Sequence, residues 1–247
     1  MEAGGAAFLA AMTNVEPNVG PVDRNAAALD ALAAEIVACR ACPRLVEWRE
    51  QVARDKRAAF RDEHYWGRPV PGFGDPQATV LVLGLAPAAH GANRTGRVFT
   101  GDRSGDFLFA SMHRTGFANQ PTSTHCGDGL RLTGAWISAA VRCAPPANAP
   151  TPAERDACRP FLVRELALLG RLRVVVCLGA FGYAAACAVL GVRPRPRFAH
   201  GLVTGAPGRP TLVCSFHPSQ QNTFTRRLTP QMLDDVLLAA RRISGQG

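Results

Sequence analysis

The sequence predicts an α/β fold: a single domain with three α/β/α layers around a central four-stranded parallel sheet. Two observations carry this reading. Short apolar or β-branched runs recur at residues 79–83, 135–141, 174–178 and 211–215, and each is followed by a stretch with helical spacing. Strand followed by helix, repeated, builds a parallel sheet covered on both faces. A chain of 247 residues with 47% apolar content is long enough to bury the core such a sheet needs.

In chain order, residues 1–22 read as a mobile tail, and the domain occupies 23–247. Asn25 is placed to cap a helix over 26–39, with Leu29, Leu32, Ala33 and Ile36 on one face. The stretch 44–68 is Arg-rich and polar, mostly a solvated face with Trp66 turned to the core. A Pro/Gly turn then leads into the first strand at 79–83. The helix after it spans 104–115, the second strand 135–141 and a capped helix 151–169. Residues 174–192 carry no charge, close to membrane-spanning length. Val174 to Leu178 is nevertheless the β-branched run of a buried strand, and Gly179 and Gly182 divide it from a short Ala-rich helix. The last strand and helix fall at 211–215 and 229–243.

The formal charge is +9, with 28 basic residues of which Lys56 alone is lysine. A polyanionic partner fits that balance. Eight cysteines are too few for a secreted disulfide scaffold of this length, and the first residues do not read as an export signal. A reducing, cytoplasmic setting follows, without a membrane.

Two loops leave the carboxyl ends of predicted strands, where open α/β sheets bind ligands. One, 84–102, reads GLAPAAHGANRTGRVFTGD and holds Phe99, Asp102, His90 and Asn93 among glycines. The other, from 216, reads FHPSQQNTFTRRLTP. Together they form a cleft. Cys39 and Cys42 make a Cys-x-x-Cys pair that closes a helix, whereas a redox pair would open one. Cys143 and Cys158 complete a set of four thiols able to hold zinc or a [4Fe–4S] cluster. Cys126, Cys177, Cys187 and Cys214 read as buried structural cysteines.

GLAPAAHG with TGRVFTGD, RCAPPAN, the four-cysteine arrangement and FHPSQQNTFT together resemble the iron–sulfur uracil-DNA glycosylases. The GLAPA form is similar to family 5, the type B branch. The resemblance runs from about Cys39 to the last helix. It implies the uracil-DNA glycosylase-like fold and a structural [4Fe–4S] cluster on Cys39, Cys42, Cys143 and Cys158. It further implies excision of uracil, and of other deaminated bases such as hypoxanthine, from damaged double-stranded DNA, leaving an abasic site. A monomer associated with the nucleoid is expected.

By matching motifs, the resemblance makes Asp102 and His217 catalytic. Gly84, Leu85, Ala86, Phe99, Asn148 and His217 would hold the base. Ser219, Asn222, Thr223, Phe224 and Arg226 would meet DNA, with His90 and Asn93 candidates to hold water or sugar. The chain departs from related branches in carrying Leu85 and Ala86 where they place a water-activating acid, so Asp102 takes that role as well as capping a helix. Ala139 replaces a base-reading Asn of family 4, which predicts a tolerant pocket. A non-catalytic iron–sulfur nucleic-acid-binding protein with the same fold is the alternative.

Overall fold

The computed structural model describes residues 21–246. The expected tail lies almost entirely outside them. The chain runs α1 (Pro21–Ala38), α2 (Pro43–Asp55), β1 (Phe73–Gly74), β2 (Val80–Gly84), α3 (Ala92–Thr95), α4 (Arg103–Arg114), β3 (Ala135–Ala139), α5 (Pro152–Leu168), β4 (Val174–Leu178), α6 (Gly179–Leu190), β5 (Val203–Thr204), β6 (Thr211–Ser215), α7 (Gln220–Phe224) and α8 (Pro230–Ser244).

The sheet order is β1-β3-β2-β4-β6-β5. Its inner strands β3, β2, β4 and β6 are all parallel, and the two-residue strands β1 and β5 add antiparallel edges. The expected parallel sheet is therefore the core of a six-stranded one. Alternate residues of each strand face opposite layers. Val80, Val82, Val174, Val176 and Val213 pack with Leu108 and Phe109 of α4 and Leu233 and Val236 of α8. Leu81, Leu83, Val175, Cys177 and Leu212 pack with Leu29 of α1, Leu162 of α5 and Leu190 of α6. The uncharged run 174–192 is β4 and α6, and no helix among the described residues is long and apolar enough to cross a membrane.

Three local readings need correction. The first helix begins at Pro21, so Asn25 lies inside it and does not cap it. The Arg-rich stretch after residue 43, expected to be mostly a solvated face, also reaches the core: α2 buries Leu45, Val46, Arg49 and Val52. Cys126 is exposed, its thiol donating to the Thr95 carbonyl at 3.2 Å, whereas Cys177, Cys187 and Cys214 are buried as expected.

The loop after β2 is clamped from outside by the segment between α4 and β3. Arg97 pairs with Asp128 at 2.6 Å, both nearly buried. Thr100 and Ser123 share a hydroxyl hydrogen bond of 2.6 Å, and the Gly101 N–H donates to the Ser123 carbonyl at 3.0 Å. Burial works to raise the Asp128 carboxyl, but Arg97 and the N–H groups of Thr124 and Leu130 outweigh it and hold the group far below the usual range. Removing Asp128 would strand a buried guanidinium, so Asp128→Ala is expected to cost about 3–5 kcal/mol in urea unfolding at pH 7. A carboxyl with a depressed folded pKa stabilises above its unfolded value of about 3.9 and loses that contribution as pH falls. The wild-type advantage over the variant should accordingly shrink below about pH 4.

Candidate active site

The order of the inner strands reverses about β2, whose carboxyl end is the switch point where α/β sheets open a crevice. A cleft of about 400 Å³ lies there, within the range of small-molecule sites. Leu85, Ala86, Phe99, Asp102, Asn148, His217 and Ser219 all line it. Residues from four separate places in the sequence are thus brought together.

Phe99 is the fixed wall. Its backbone is left-handed at φ 54°, an uncommon conformation for a bulky residue. Gly84 and Gly105 make that conformation possible. A Cβ on Gly84 would lie 2.8 Å from the Phe99 ring, and one on Gly105 would lie 1.8 Å from the Phe99 carbonyl oxygen. Gly84 therefore supports the ring and does not itself line the cleft. The ring centroid is 5.8 Å from that of His217, with 32° between the planes. Ala147 and Asn148, which also line the cleft, are left-handed too, at φ 52° and 54°. Strained backbone of this kind persists where the surrounding structure over-determines it, and it clusters at functional sites.

Asp102 closes one end of the cleft. It is the N-cap of α4, and its Oδ1 accepts from the Gly105 N–H at 3.0 Å. Burial raises its carboxyl above the ordinary range, opposed by the N–H groups of Gly105 and Ser104. Capping and cleft exposure coexist because the cap uses Oδ1 alone. Burial likewise pushes the His217 imidazole down to about 4, so the ring is neutral at pH 7. The Asn222 amide donates to the His217 carbonyl at 2.8 Å, fixing the histidine's backbone. Asn222 is itself partly exposed.

Ser219 is the N-cap of α7 but makes no side-chain cap bond there, and its residue borders the cleft. Thr223 returns its hydroxyl to the Ser219 carbonyl at 3.2 Å. Phe224 is 65% exposed, unlike the core residue its type suggests. The guanidinium of Arg103 lies 5.5 Å from its ring centroid, linking the two loops across the mouth. Arg226 is exposed, whereas Arg227 packs over the Phe216 ring at 4.5 Å.

His90 and Asn93 part company. His90 borders a second, polar cleft that shares Ala88, Asp102 and Asn148 with the first, and its Nδ1 hydrogen-bonds the Tyr65 hydroxyl at 3.0 Å. Asn93 is fully buried and donates to the Arg49 carbonyl at 3.2 Å, so it cannot hold water or sugar in the cleft. Ala139 is also buried, packed in the core, and it does not border the cleft. Sequence reasoning missed Gly91, Arg103 and Tyr65. A glycine in a glycine-rich loop and an arginine in an arginine-rich chain carry no distinguishing signal.

The four expected cysteines do meet. Cys39 follows α1, Cys42 is the N-cap of α2, Cys143 follows β3 and Cys158 lies in α5; all line one small pocket with Arg49 and Arg142. Among the described residues, no three His, Cys, Asp or Glu side chains converge tightly enough to grip a single ion. The sulfurs surround a space instead. The Arg49 Nη1 donates to Cys143 Sγ at 2.9 Å, yet the buried Nε atoms of Arg49 and Arg142 have no partner. Burial pushes the Cys143 thiol up to about 12 and raises Cys158 and Cys42 as well. Such thiols ionise readily only beside a further positive centre, while the two buried Nε donors lack an acceptor. A positively charged metal–sulfide group bound by four thiolates fits both demands. Ala86 packs against this cysteine cluster while also lining the cleft, so the two sites share a wall.

The family model for the uracil DNA glycosylase superfamily matches residues 71–241. The chain is 55% identical over 217 residues to the type-5 uracil-DNA glycosylase of Mycobacterium tuberculosis, covering 87% of this chain and 81% of that one. It is 52% identical over 217 residues to that of Thermus thermophilus, covering 87% and 98%. Similarity to the type-4 uracil-DNA glycosylase of Archaeoglobus fulgidus is more partial, 34% over 113 residues, or 45% of this chain and 49% of that one. The chain belongs to the uracil DNA glycosylase superfamily and, within it, to the type-5 uracil-DNA glycosylases.

Proposed function

We propose that this chain is a monofunctional base-excision repair enzyme that hydrolyses the N-glycosidic bond of uracil in double-stranded DNA and leaves an abasic site. The observation that carries the reading is one cleft holding a fixed aromatic face, a neutral imidazole and a partly desolvated carboxylate. Cleaving the bond builds positive charge on the sugar and negative charge on the departing base. Each part of the cleft answers one part of that distribution.

The flipped base stacks on Phe99. His217 donates a neutral N–H toward a base oxygen, where charge accumulates as the C1′–N bond breaks and its electron pair moves into the ring. Asp102, through Oδ2, faces the sugar and favours its cationic character. It also orients a water whose oxygen bonds to C1′ while its proton passes to the carboxylate. Asn148 reads a base edge with its amide from the rim. With Ala86 and Leu85 contributing only apolar surface, and Ala139 outside the cleft, few side chains discriminate among bases. Excision of hypoxanthine as well as uracil follows from that sparseness.

Phe224, exposed beside the cleft, enters the duplex and fills the gap left by the flipped nucleotide, with Ser219, Thr223 and Arg226 on the backbone. The protein acts as a monomer. A [4Fe–4S] cluster on Cys39, Cys42, Cys143 and Cys158 would bring positive charge to buried thiolates and tie α1, α2, α5 and the segment after β3 together. Its role is structural, since the chemistry at Asp102 and His217 needs no electron transfer.

Asp102→Asn is expected to slow single-turnover excision by about 10²–10⁴-fold, and His217→Ala by about 10²–10³-fold, with duplex affinity largely kept. Undiminished rates in both variants would remove these residues from the chemistry. The wild-type rate should fall as pH drops through the raised pKa of Asp102, because the reacting form is the carboxylate. The imidazole, neutral down to about 4, adds no acid limb above that pH. Purified protein should contain iron and sulfide and absorb near the visible, and Cys143→Ala should lose both; stoichiometric zinc instead would contradict the cluster.

A further inference from the structure

Asp102 is anchored at its carbonyl, at Oδ1 and through the residue before it. Its carbonyl accepts from the Asp106 N–H at 3.0 Å, and its Oδ1 from the Gly105 N–H. Before it, the Gly101 carbonyl accepts from Arg94 Nη2 at 2.7 Å, and the Gly101 N–H is anchored on Ser123. Gly91 packs against the other oxygen, Oδ2. A Cβ built there would lie 2.0 Å from Asp102 Oδ2, 2.9 Å from Cγ and 3.1 Å from Cβ.

Gly91 is no freer to move. It is buried, its N–H donates to the Ala88 carbonyl at 3.2 Å, and its own carbonyl accepts from the N–H groups of Arg94 and Thr95 at 2.9 and 3.0 Å. Its backbone, at φ −100° and ψ −105°, lies outside the main regions that L-residues occupy, and the close approach of Asp102 adds a second demand for glycine, one of space. Two anchored loops meet at this point, and only the end of the Asp102 side chain can give way.

We propose that Gly91 is a positioning residue whose missing side chain is the space that seats the Asp102 carboxylate against the cleft. The functional part of this inference rests on the reading of Asp102 as the reacting carboxylate. A methyl group at residue 91 would rotate Oδ2 out of its seat and strain or break the cap bond to Gly105, while both loops keep their backbone contacts. Displacement by about 1 Å at a reacting group can cost on the order of 10²-fold in rate.

The test compares wild type with Gly91→Ala, Asp102→Asn and the double variant on a uracil-containing duplex, with thermal unfolding as a check on folding. Gly91→Ala should bind the duplex within about twofold of wild type and excise about 10²-fold more slowly. In the Asp102→Asn background it should slow the reaction no further, since the two changes remove one function. Independently of activity, ¹³C-detected titration of the Asp102 carboxyl, assigned by its loss in Asp102→Asn, should move from a raised pKa back toward the ordinary aspartate value. A wild-type rate with an unmoved titration overturns the proposal, as does full multiplication of the two defects in the double variant. If Asp102→Asn itself excises at the wild-type rate, the catalytic reading of Asp102 falls, and the titration still decides whether Gly91 seats the carboxylate.

Discussion

The packing of Phe99 onto two glycines is the constraint on which the rest of the cleft depends. Its ring rests on Gly84 at the end of β2, and its carbonyl rests on Gly105 in the first turn of α4. The two contacts fix the distance and angle between strand end and helix start. That in turn places Asp102, the residue that caps the helix, at the edge of the ring it must work beside. The left-handed backbone of Phe99 is the local cost, offset by the Arg97–Asp128 and Thr100–Ser123 contacts that clamp the loop from outside.

A second line of support reaches the same loop from the cysteine pocket. Arg49 donates to Cys143 Sγ and, with Nη2, to the Cys39 carbonyl at 3.2 Å, while its own carbonyl receives the amide of buried Asn93 in α3. One residue of α2 thus ties the cysteine cluster to the loop that carries Gly91. Ala86 adds a direct apolar contact between cluster and cleft. A structural group at the cysteines can therefore influence the cleft with no part in its chemistry.

Much of this was legible in the sequence because it follows local rules. The β-branched run at 174–178 and the capped helix from Thr151 lie where the pattern placed them, since burial on both faces and capping leave composition signatures. Asp102 and His217 were readable as polar residues in loops that leave the carboxyl ends of parallel strands. The edge strands were not, because two residues give no periodicity. The second helix was hidden by Arg49, a charge placed within its buried stripe for the sake of the cysteines. Asn93 misled because an amide in a glycine-rich loop serves a ligand or a neighbouring carbonyl equally well, and only the fold decides which. Gly91 acts by the absence of a side chain, which only the position of Asp102 reveals.

The account stands or falls on whether this cleft breaks a glycosidic bond. The direct measurement is single-turnover incubation of the purified protein with end-labelled duplexes carrying uracil, hypoxanthine or no lesion, followed by alkaline cleavage of abasic sites. Alkali-labile breaks at the uracil strand, with a slower but real signal at hypoxanthine and none in the intact duplex, are the expected result. Binding to all three duplexes with no strand becoming alkali-labile would contradict it, leaving a protein that holds DNA and Asp102 with no more to do than cap a helix.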